Sequence, residues 1–328
     1  MSIASRPRLE TQEGPHFHRS VPSPIMRPWP RTESNRMTIG IGMLCTHGAI
    51  IAADSRMAQA DGSTHVAQKV HATKSANGAF VLTYAANDAN AARTLRDDLF
   101  EDLARGDPST LRETEDIVRS RMSMWAAAYT HHLPEIELIL GASTPAPWAP
   151  EREKRGGVGL YFCQPPNIML LKHFLEPDTS TYIAIGGGAA ITDPVYKSLF
   201  RGMTNPKESL KQVAYLLYRA KKDQGQFCGG YSTAFFLREK SPAAFEIHAA
   251  YMDKAEGAGM MLDEGLKLAC SALQASSLEE SEGILKLMRN YLEIMKNYRS
   301  LKFVTQFNQE IFEHGVRLLD SQKSEDQQ

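Results

Sequence analysis

Pairs of short apolar strands alternate with pairs of helices along residues 37–252, and this order restricts the fold more than any other feature of the sequence. Tight turns join the strands, among them Asn77-Gly78, a dipeptide typical of two-residue β-hairpins. Hairpins produce antiparallel sheets, and an apolar sheet face needs helices or a second sheet to cover it. The sequence therefore predicts an α+β fold in which helices cover antiparallel sheets.

Hydrophobic periodicity gives the bounds of the expected elements. The predicted strands are 37–44, 49–53, 66–73, 79–85, 135–142, 157–163, 167–174, 182–186, 231–238 and 245–252. The predicted helices are 87–104, 109–131, 194–200 and a segment from 205 to 222 with Pro206 in its first turn.

The two ends of the chain differ from this central part. Residues 1–36 contain six prolines and six arginines without regular periodicity, so we expect a disordered extension. It is a propeptide, a tail, or an extension upstream of the real start codon. Residues 253–322 are expected to form a C-terminal helical extension, which packs on the domain or contacts another subunit, and residues 323–328 form a tail.

Composition excludes several classes of protein. The formal net charge is -1, which argues against nucleic acid as the main partner because phosphate binding requires a basic excess. No apolar run approaches the roughly 20 residues that span a bilayer, and the N-terminus lacks a secretory signal, so a cytoplasmic protein without membrane contact is expected. The four cysteines form no CxxC pair and are expected to be reduced and buried, with no metal and no cofactor.

Three stretches carry the most specific pattern in the chain. They are Met37-Thr38-Ile39-Gly40-Ile41-Gly42, then Gly48-Ala49-Ile50-Ile51-Ala52-Ala53-Asp54-Ser55-Arg56, and Lys69-Val70-His71. This pattern resembles the proteasome β-type subunits, including their simpler bacterial members, which are N-terminal-nucleophile hydrolases. The resemblance implies a four-layer αββα sandwich over residues 37–252, followed here by the C-terminal helices.

Two glycine turns extend the resemblance. Residues 183–190 are similar to the family's turn before its third helix, and Cys228-Gly229-Gly230 is similar to its late Ser-Gly-Gly turn. With them the resemblance covers about residues 38–252, and the last 70 or so residues have no counterpart.

The resemblance assigns catalytic roles to Thr38, Asp54 and Lys69. A threonine hydroxyl is a weak nucleophile that needs a nearby base, and the α-amine of an N-terminal Thr38 has a pKa of about 7.7 to 8.0, close to working pH. An ammonium group at Lys69 disfavours the protonated amine, and Asp54 keeps that lysine charged and in place. Supporting roles fall to Arg56 beside them and to backbone N–H groups near Ala85 or Ala86, which would meet the oxyanion.

Several positions depart from the family pattern. Gly187 stands where a serine usually lies near the nucleophile, and Cys228 stands where the late serine is expected. The aspartate expected three residues earlier falls on Gly225, with Asp223 further upstream, and alanine replaces the oxyanion glycine. These helper positions tune the amine, so their loss is expected to slow or abolish turnover.

The residue before Thr38 is Met37, where self-cleaving members have glycine. If translation starts at Met37, methionine aminopeptidase exposes Thr38 without autolysis; if the long chain stays unprocessed, its amine is blocked.

Two functional classes remain open. The first is a threonine-type amidohydrolase or peptidase that acts on peptides or proteins in a homo-oligomeric ring; whether an ATPase or other regulator is its partner stays open. The second is a catalytically silent structural subunit of such a ring. A small-amide acylase of the same superfamily is a third, weaker alternative.

Overall fold

The structure is a computed structural model, and it describes residues 38–58, 64–129, 133–145, 157–172, 181–200, 202–225, 228–239, 242–275 and 277–296. By its internal contacts the chain divides into two units, residues 1–33 and residues 34–328, and every described residue belongs to the second. The extension predicted at residues 1–36 and the helical extension beyond residue 296 lie outside the described residues.

Twelve strands and six helices lie within this described part of the chain. The strands are β1 (Gly40–Cys45), β2 (Gly48–Asp54), β3 (Arg56–Ala58), β4 (Thr64–Val66), β5 (Val70–Lys74), β6 (Ala79–Ala86), β7 (Ile136–Thr144), β8 (Gly157–Gln164), β9 (Asn167–Lys172), β10 (Tyr182–Ile185), β11 (Ser232–Arg238) and β12 (Ala243–Ile247). The helices are α1 (Ala89–Gly106), α2 (Leu111–Ala128), α3 (Ala189–Leu199), α4 (Pro206–Asp223), α5 (Ala249–Leu273) and α6 (Leu278–Lys296).

The strands form two five-stranded sheets and one short ribbon. The first sheet has the order β10-β1-β2-β11-β12, the second has the order β5-β6-β7-β8-β9, and β3 pairs with β4. All pairings are antiparallel. Strands β1 and β2 are buried along their whole length, which explains why their sequences are apolar as far as Asp54 at the end of β2 rather than alternating.

Three apolar clusters show which faces are covered. One joins the first sheet to α3, α4 and α5, and another joins the second sheet to α1 and α2. The third lies between the sheets, with Ile51 of β2 and Ile139 of β7 among its members. A side chain at Gly141 of β7 would overlap Ile51, so glycine at this position allows the sheets to approach closely.

The helices begin where the sequence supplies caps. The Asp88 carboxylate accepts hydrogen bonds from the first backbone N–H groups of α1, and the Asn205 side chain does the same for α4. Thr110 and Glu113 cap α2 reciprocally, since Thr110 accepts from the Glu113 N–H and Glu113 accepts from the Ser109 N–H. These caps satisfy backbone N–H groups in the first turns of α1, α2 and α4.

Polar contacts attach α5 and α6 to the preceding helix. Asp263 of α5 accepts hydrogen bonds from Arg219 (3.0 Å) and Lys222 of α4. The Tyr291 hydroxyl of α6 donates to the carbonyl of Met261 in α5. Of the helices that the structure describes, none has the length and apolar character needed to cross a membrane.

Three predicted bounds were wrong. The strand predicted at 245–252 ends at Ile247, because His248 caps α5, which starts at Ala249. The helix predicted to begin at Pro194 begins at Ala189, with the proline inside it. The strand predicted at 66–73 is divided into β4 and β5, which belong to different sheets.

Candidate active site

Thr38, Asp54 and Lys69 lie together at one end of the two sheets. Thr38 precedes β1, Asp54 ends β2, and Lys69 precedes β5. Lys69 Nζ donates a hydrogen bond to Thr38 Oγ1 and another to Asp54 Oδ1 at 2.8 Å. Thr38 Oγ1 itself donates to Asp54 Oδ1 at 2.9 Å. The three residues are only 5%, 1% and 2% exposed, so their polar groups interact with one another rather than with bulk water.

Asp54 connects this group to the backbone around it. Its Oδ1 accepts from the Ile39 N–H at 3.2 Å, and its Oδ2 accepts from the Gly229 N–H at 2.7 Å. Together with Thr38 and Lys69, these give the carboxylate four donors. These four donors hold the carboxylate in a fixed position beside the lysine.

Lys69 is held by three oxygen acceptors. Besides Thr38 and Asp54, its Nζ donates to the carbonyl of Arg56. Burial lowers the pKa of Lys69, and the neighbouring Asp54 carboxylate opposes that change. A lysine with a lowered pKa beside a hydroxyl can stabilise a developing alkoxide and transfer a proton more readily than a surface lysine.

Arg56 connects the site to the segment before β11. Its guanidinium donates to the carbonyl of Gly225, and its backbone N–H donates to the carbonyl of Gly229 at 3.0 Å. Gly225 is the position where the sequence comparison expects an aspartate. The arginine is therefore paired with a backbone carbonyl rather than with a carboxylate.

The glycine turn before α3 packs directly on Thr38. The N–H of Gly188 donates to the Thr38 carbonyl at 3.2 Å. Gly186 has a φ of +78°, and any side chain there would overlap the Thr38 carbonyl. Glycine at position 186 thus satisfies both the backbone conformation and the close approach. Gly187, between them, is half-buried and provides no hydroxyl.

Ala85 and Ala86 end β6 at the same end of the sheets. Ala85 is buried and Ala86 is half-buried. Among the described residues other than glycine, Asp107 is the one with a positive φ, so neither alanine is in the left-handed region that would require glycine. The alanine replacement noted in the sequence therefore causes no backbone strain.

Cys228 lies beside the same charged groups. Its thiol is buried, and desolvation together with Asp54 raises its pKa to about 12, while Lys69 and Arg56 act in the opposite direction. The thiol is therefore protonated at neutral pH. The expectation that all four cysteines are buried was wrong for Cys270, which is exposed on α5.

Sequence reasoning missed Glu137, which lies at the start of β7. Its carboxylate Oε2 accepts from the N–H of Gly186 at 2.9 Å. The signal that could have revealed it is an acidic residue at the start of a strand whose next five residues, 138–142, carry no polar side chain. No group of three or more His, Cys, Asp or Glu side chains within the described ranges is arranged to hold a metal ion.

Solved structures share the fold of this chain. An Anbu (Gly-1) mutant from Hyphomicrobium sp. strain MC1 has a TM-score of 0.57 and 15% identity, covering 71% of this chain and 96% of that one. Anbu, described as an ancestral β-subunit, from Yersinia bercovieri has a TM-score of 0.52 and 15% identity, covering 70% and 95%. The helical assembly of the Anbu complex from Pseudomonas aeruginosa has a TM-score of 0.50 and 15% identity, covering 70% and 94%. No protein-family model and no curated protein matches the chain.

These matches correct the resemblance to proteasome β-type subunits. The matching structures named above are Anbu proteins, which are proteasome-like relatives rather than the β-type subunits themselves. At 15% identity the likeness shows the fold alone, which is the proteasome-like fold of these Anbu structures.

Proposed function

We propose that this chain is a threonine-type amidohydrolase that cleaves peptide amides with Thr38 as an N-terminal nucleophile. The observation that carries the proposal is the position of Lys69 Nζ, which donates to both the Thr38 hydroxyl and the Asp54 carboxylate. Burying a lysine costs desolvation free energy that even a paired carboxylate often fails to offset, so a buried Lys69 is not explained by stability alone. Here the buried ammonium group contacts the Thr38 hydroxyl, which is the proposed nucleophile.

The chemistry requires a free amine at Thr38. The amine takes the proton of the Thr38 hydroxyl as its oxygen attacks the substrate carbonyl carbon, and Lys69 stabilises the negative charge developing on that oxygen. Backbone N–H groups near Ala85 and Ala86 would receive the substrate oxyanion. The protonated amine then gives its proton to the leaving amine, which leaves an ester on Thr38. Water hydrolyses that ester and restores the hydroxyl.

Removal of all residues up to Met37 is part of the proposal. While Met37 is attached, the Thr38 nitrogen belongs to a peptide bond and cannot accept a proton. The full-length chain is therefore expected to be inert, whatever the geometry of its side chains.

A protein whose coding sequence begins at Met37 is expected to hydrolyse fluorogenic peptide amides, and the full-length chain is not. Intact-mass measurement must first show that Thr38 leads the chain, and circular dichroism must show that it is folded. Thr38→Ala in the same background is the control, since methionine is also removed before alanine while the nucleophile is lost. If the folded protein that starts at Thr38 cleaves no peptide and does not react with a threonine-directed electrophile, the proposed enzymatic function is wrong.

The alternative is a catalytically silent subunit, and the helper positions favour it. Gly187 provides no hydroxyl, and Cys228 provides a buried, protonated thiol in place of one. Neither group can accept a hydrogen bond from the Thr38 amine as well as a serine does. The electrophile experiment separates the two functions, because a silent subunit leaves Thr38 unlabelled.

The proposal also covers the arrangement of sheets and helices around the site. The three apolar clusters support a four-layer αββα sandwich over residues 37–252, with residues 253–322 as a helical extension. Peptides or proteins are the proposed substrates, and an ATPase or other regulator is the proposed partner.

Assembly into a homo-oligomer is also proposed. Proteasome-like domains bury helical faces against neighbours, and the Pseudomonas aeruginosa Anbu complex is described as a helical assembly. We expect light scattering at micromolar concentration to give a mass of several subunits, either as the closed ring predicted from the sequence or as an open helical form. A monomer at that concentration would contradict the assembly, and electron microscopy would distinguish the two forms.

A further inference from the structure

The turn between β5 and β6 contains the one Asn-Gly dipeptide of the chain, Asn77-Gly78. Asn77 is exposed, whereas Gly78 is buried. The Ser75 N–H donates to the Gly78 carbonyl at 2.8 Å, and the Gly78 N–H donates to the Ser75 hydroxyl oxygen at 2.9 Å. An asparagine before glycine is prone to lose its side-chain amide, because glycine has no side chain to keep its backbone nitrogen from reaching the amide carbon.

The Asp107 carboxylate holds the same turn from the end of α1. Its Oδ1 accepts from the Asn77 backbone N–H, and its Oδ2 accepts from the Asn77 side-chain Nδ2, each at 2.8 Å. The hydrogen bond from the Asn77 N–H and the one from the Ser75 side chain lower the pKa of the Asp107 carboxyl. The carboxylate is therefore charged at neutral pH, and hydrogen bonds to a charged acceptor are stronger than those between neutral groups.

Loss of the amide requires the Gly78 backbone nitrogen to reach Asn77 Cγ. The nitrogen forms a bond to Cγ and gives up its proton, while the bond between Cγ and Nδ2 breaks and Nδ2 leaves with that proton as ammonia. Water then opens the resulting cyclic imide at either carbonyl, which leaves aspartate or isoaspartate at position 77. Both reacting groups are hydrogen-bonded in the structure, Nδ2 to Asp107 and the Gly78 N–H to Ser75. These bonds must break before the ring can close, so each of them slows the reaction.

We propose that Asn77 is a site of deamidation and that Asp107 controls how fast it reacts. The product carries a carboxylate where the Asn77 side chain now donates to Asp107, and two carboxylates at hydrogen-bond distance repel each other. Deamidation therefore releases the β5–β6 turn from the end of α1. Thr38 takes no part in this chemistry, so the inference does not depend on the proposed function.

The test compares the full-length chain with its Asp107→Gly and Asp107→Asn variants. Asp107 has a φ of +42°, which glycine and asparagine tolerate, so the end of α1 is retained in both variants. Asp107→Gly removes every contact of the side chain, whereas Asp107→Asn removes the charge and leaves an amide oxygen that can still accept from the turn. Asn77→Gln in the Asp107→Gly background is the control, because the longer side chain closes an imide ring far more slowly. Circular dichroism verifies that each protein is folded.

Peptide mapping by mass spectrometry measures the reaction. The proteins are incubated at neutral pH below their melting temperatures and digested with trypsin at successive times, and fragmentation locates the mass gain of deamidation. Cleavage after Lys74 and Arg93 gives one peptide, 75–93, that also contains Asn87 and Asn90. Neither of these is followed by glycine, so both serve as internal references. A synthetic peptide of the same sequence gives the rate in the absence of the fold.

In Asp107→Gly the rate at Asn77 is expected to rise roughly tenfold above that of the parent, the size of a lost hydrogen bond to a charged group, with Asn87 and Asn90 unchanged. Asp107→Asn should lie between the two, and the Asn77→Gln control should gain no mass at position 77. Equal rates at Asn77 in the parent and in Asp107→Gly would overturn the control by Asp107. If Asn77 stays unmodified in folded Asp107→Gly while the synthetic peptide reacts, Asn77 is not a deamidation site.

Asn77→Asp reproduces the charge of the product and tests the release of the turn. Hydrogen exchange at the Ser75 N–H, which bonds to the Gly78 carbonyl, is expected to be faster than in the parent, because repulsion from Asp107 opens the turn. Asn77→Ala is the matched neutral variant, since it also loses the Nδ2 donor but adds no charge. Exchange that is no faster in Asn77→Asp than in Asn77→Ala would show that the two carboxylates do not drive the turn open, and the inferred release would be wrong.

Discussion

Replacing Lys69 by alanine in the Thr38-initiated protein is expected to lower kcat/KM for peptide amides roughly a thousandfold or more, because it removes one member of a nucleophile-activating unit. Lys69 Nζ is the donor that contacts the Thr38 hydroxyl, and its charge disfavours protonation of the neighbouring α-amine. Without it, the amine would be protonated more often at neutral pH, and the developing alkoxide would lose its nearest positive charge.

The variant should remain folded, which makes the rate interpretable. After loss of Lys69, the Asp54 carboxylate keeps three donors, namely the Thr38 hydroxyl and the N–H groups of Ile39 and Gly229. Lys74→Ala is the matched control, since Lys74 is an exposed lysine on β5, the strand that directly follows Lys69, and should leave kcat/KM within about twofold. An active Lys69→Ala protein with the melting temperature of the parent would exclude Lys69 from the chemistry.

The arrangement of the site could be anticipated because each residue lies at a strand end. Thr38, Asp54 and Lys69 flank β1, β2 and β5, and strands that alternate in direction bring such ends to one edge. Their meeting was suggested by a resemblance in motif and spacing, since each residue alone is an ordinary strand threonine, turn aspartate or surface lysine. The structural matches limit that resemblance to the fold.

The predicted bounds of helices and strands were wrong where the local sequence is compatible with two structures. The run from Phe245 to Met252 has strand-like composition, yet His248 caps a helix within it, because α5 buries its apolar face against α4. The helix predicted to begin at Pro194 begins instead at Ala189, directly after the glycine turn at 186–188. In both cases tertiary packing decided between alternatives that the sequence leaves almost equal.

Contacts between distant residues could not be inferred from local pattern. Glu137 reaches Gly186 from a position 49 residues away, and Arg56 reaches the Gly225 carbonyl from 169 residues away. Nothing in the sequence around Gly225 indicates that its carbonyl meets the arginine in place of an aspartate side chain. Such replacements of a side chain by backbone become visible only when the chain is folded.

Asp54→Ala is expected to lower the free energy of unfolding by about 3 to 5 kcal/mol, the usual cost of breaking a buried ion pair from one side. The loss leaves Lys69, which is 2% exposed, without its carboxylate, and it leaves the N–H groups of Ile39 and Gly229 without an acceptor. Urea denaturation measures the change. Asp97→Ala is the contrast, since Asp97 pairs with Arg96 at the surface, and its loss should cost less than about 1 kcal/mol.

A second substitution shows whether the unpaired charge causes that loss. Lys69→Met keeps an unbranched side chain of similar length and removes the ammonium group, so the double variant with Asp54→Ala has no buried charge to desolvate. It should be more stable than Asp54→Ala alone, by roughly 1 kcal/mol or more, even though it carries one more substitution. If the double variant lost as much free energy of unfolding, relative to the parent, as the two single variants lose together, there would be no coupling energy between Asp54 and Lys69. Lys69 would then owe its burial to the Thr38 hydroxyl and the Arg56 carbonyl rather than to Asp54.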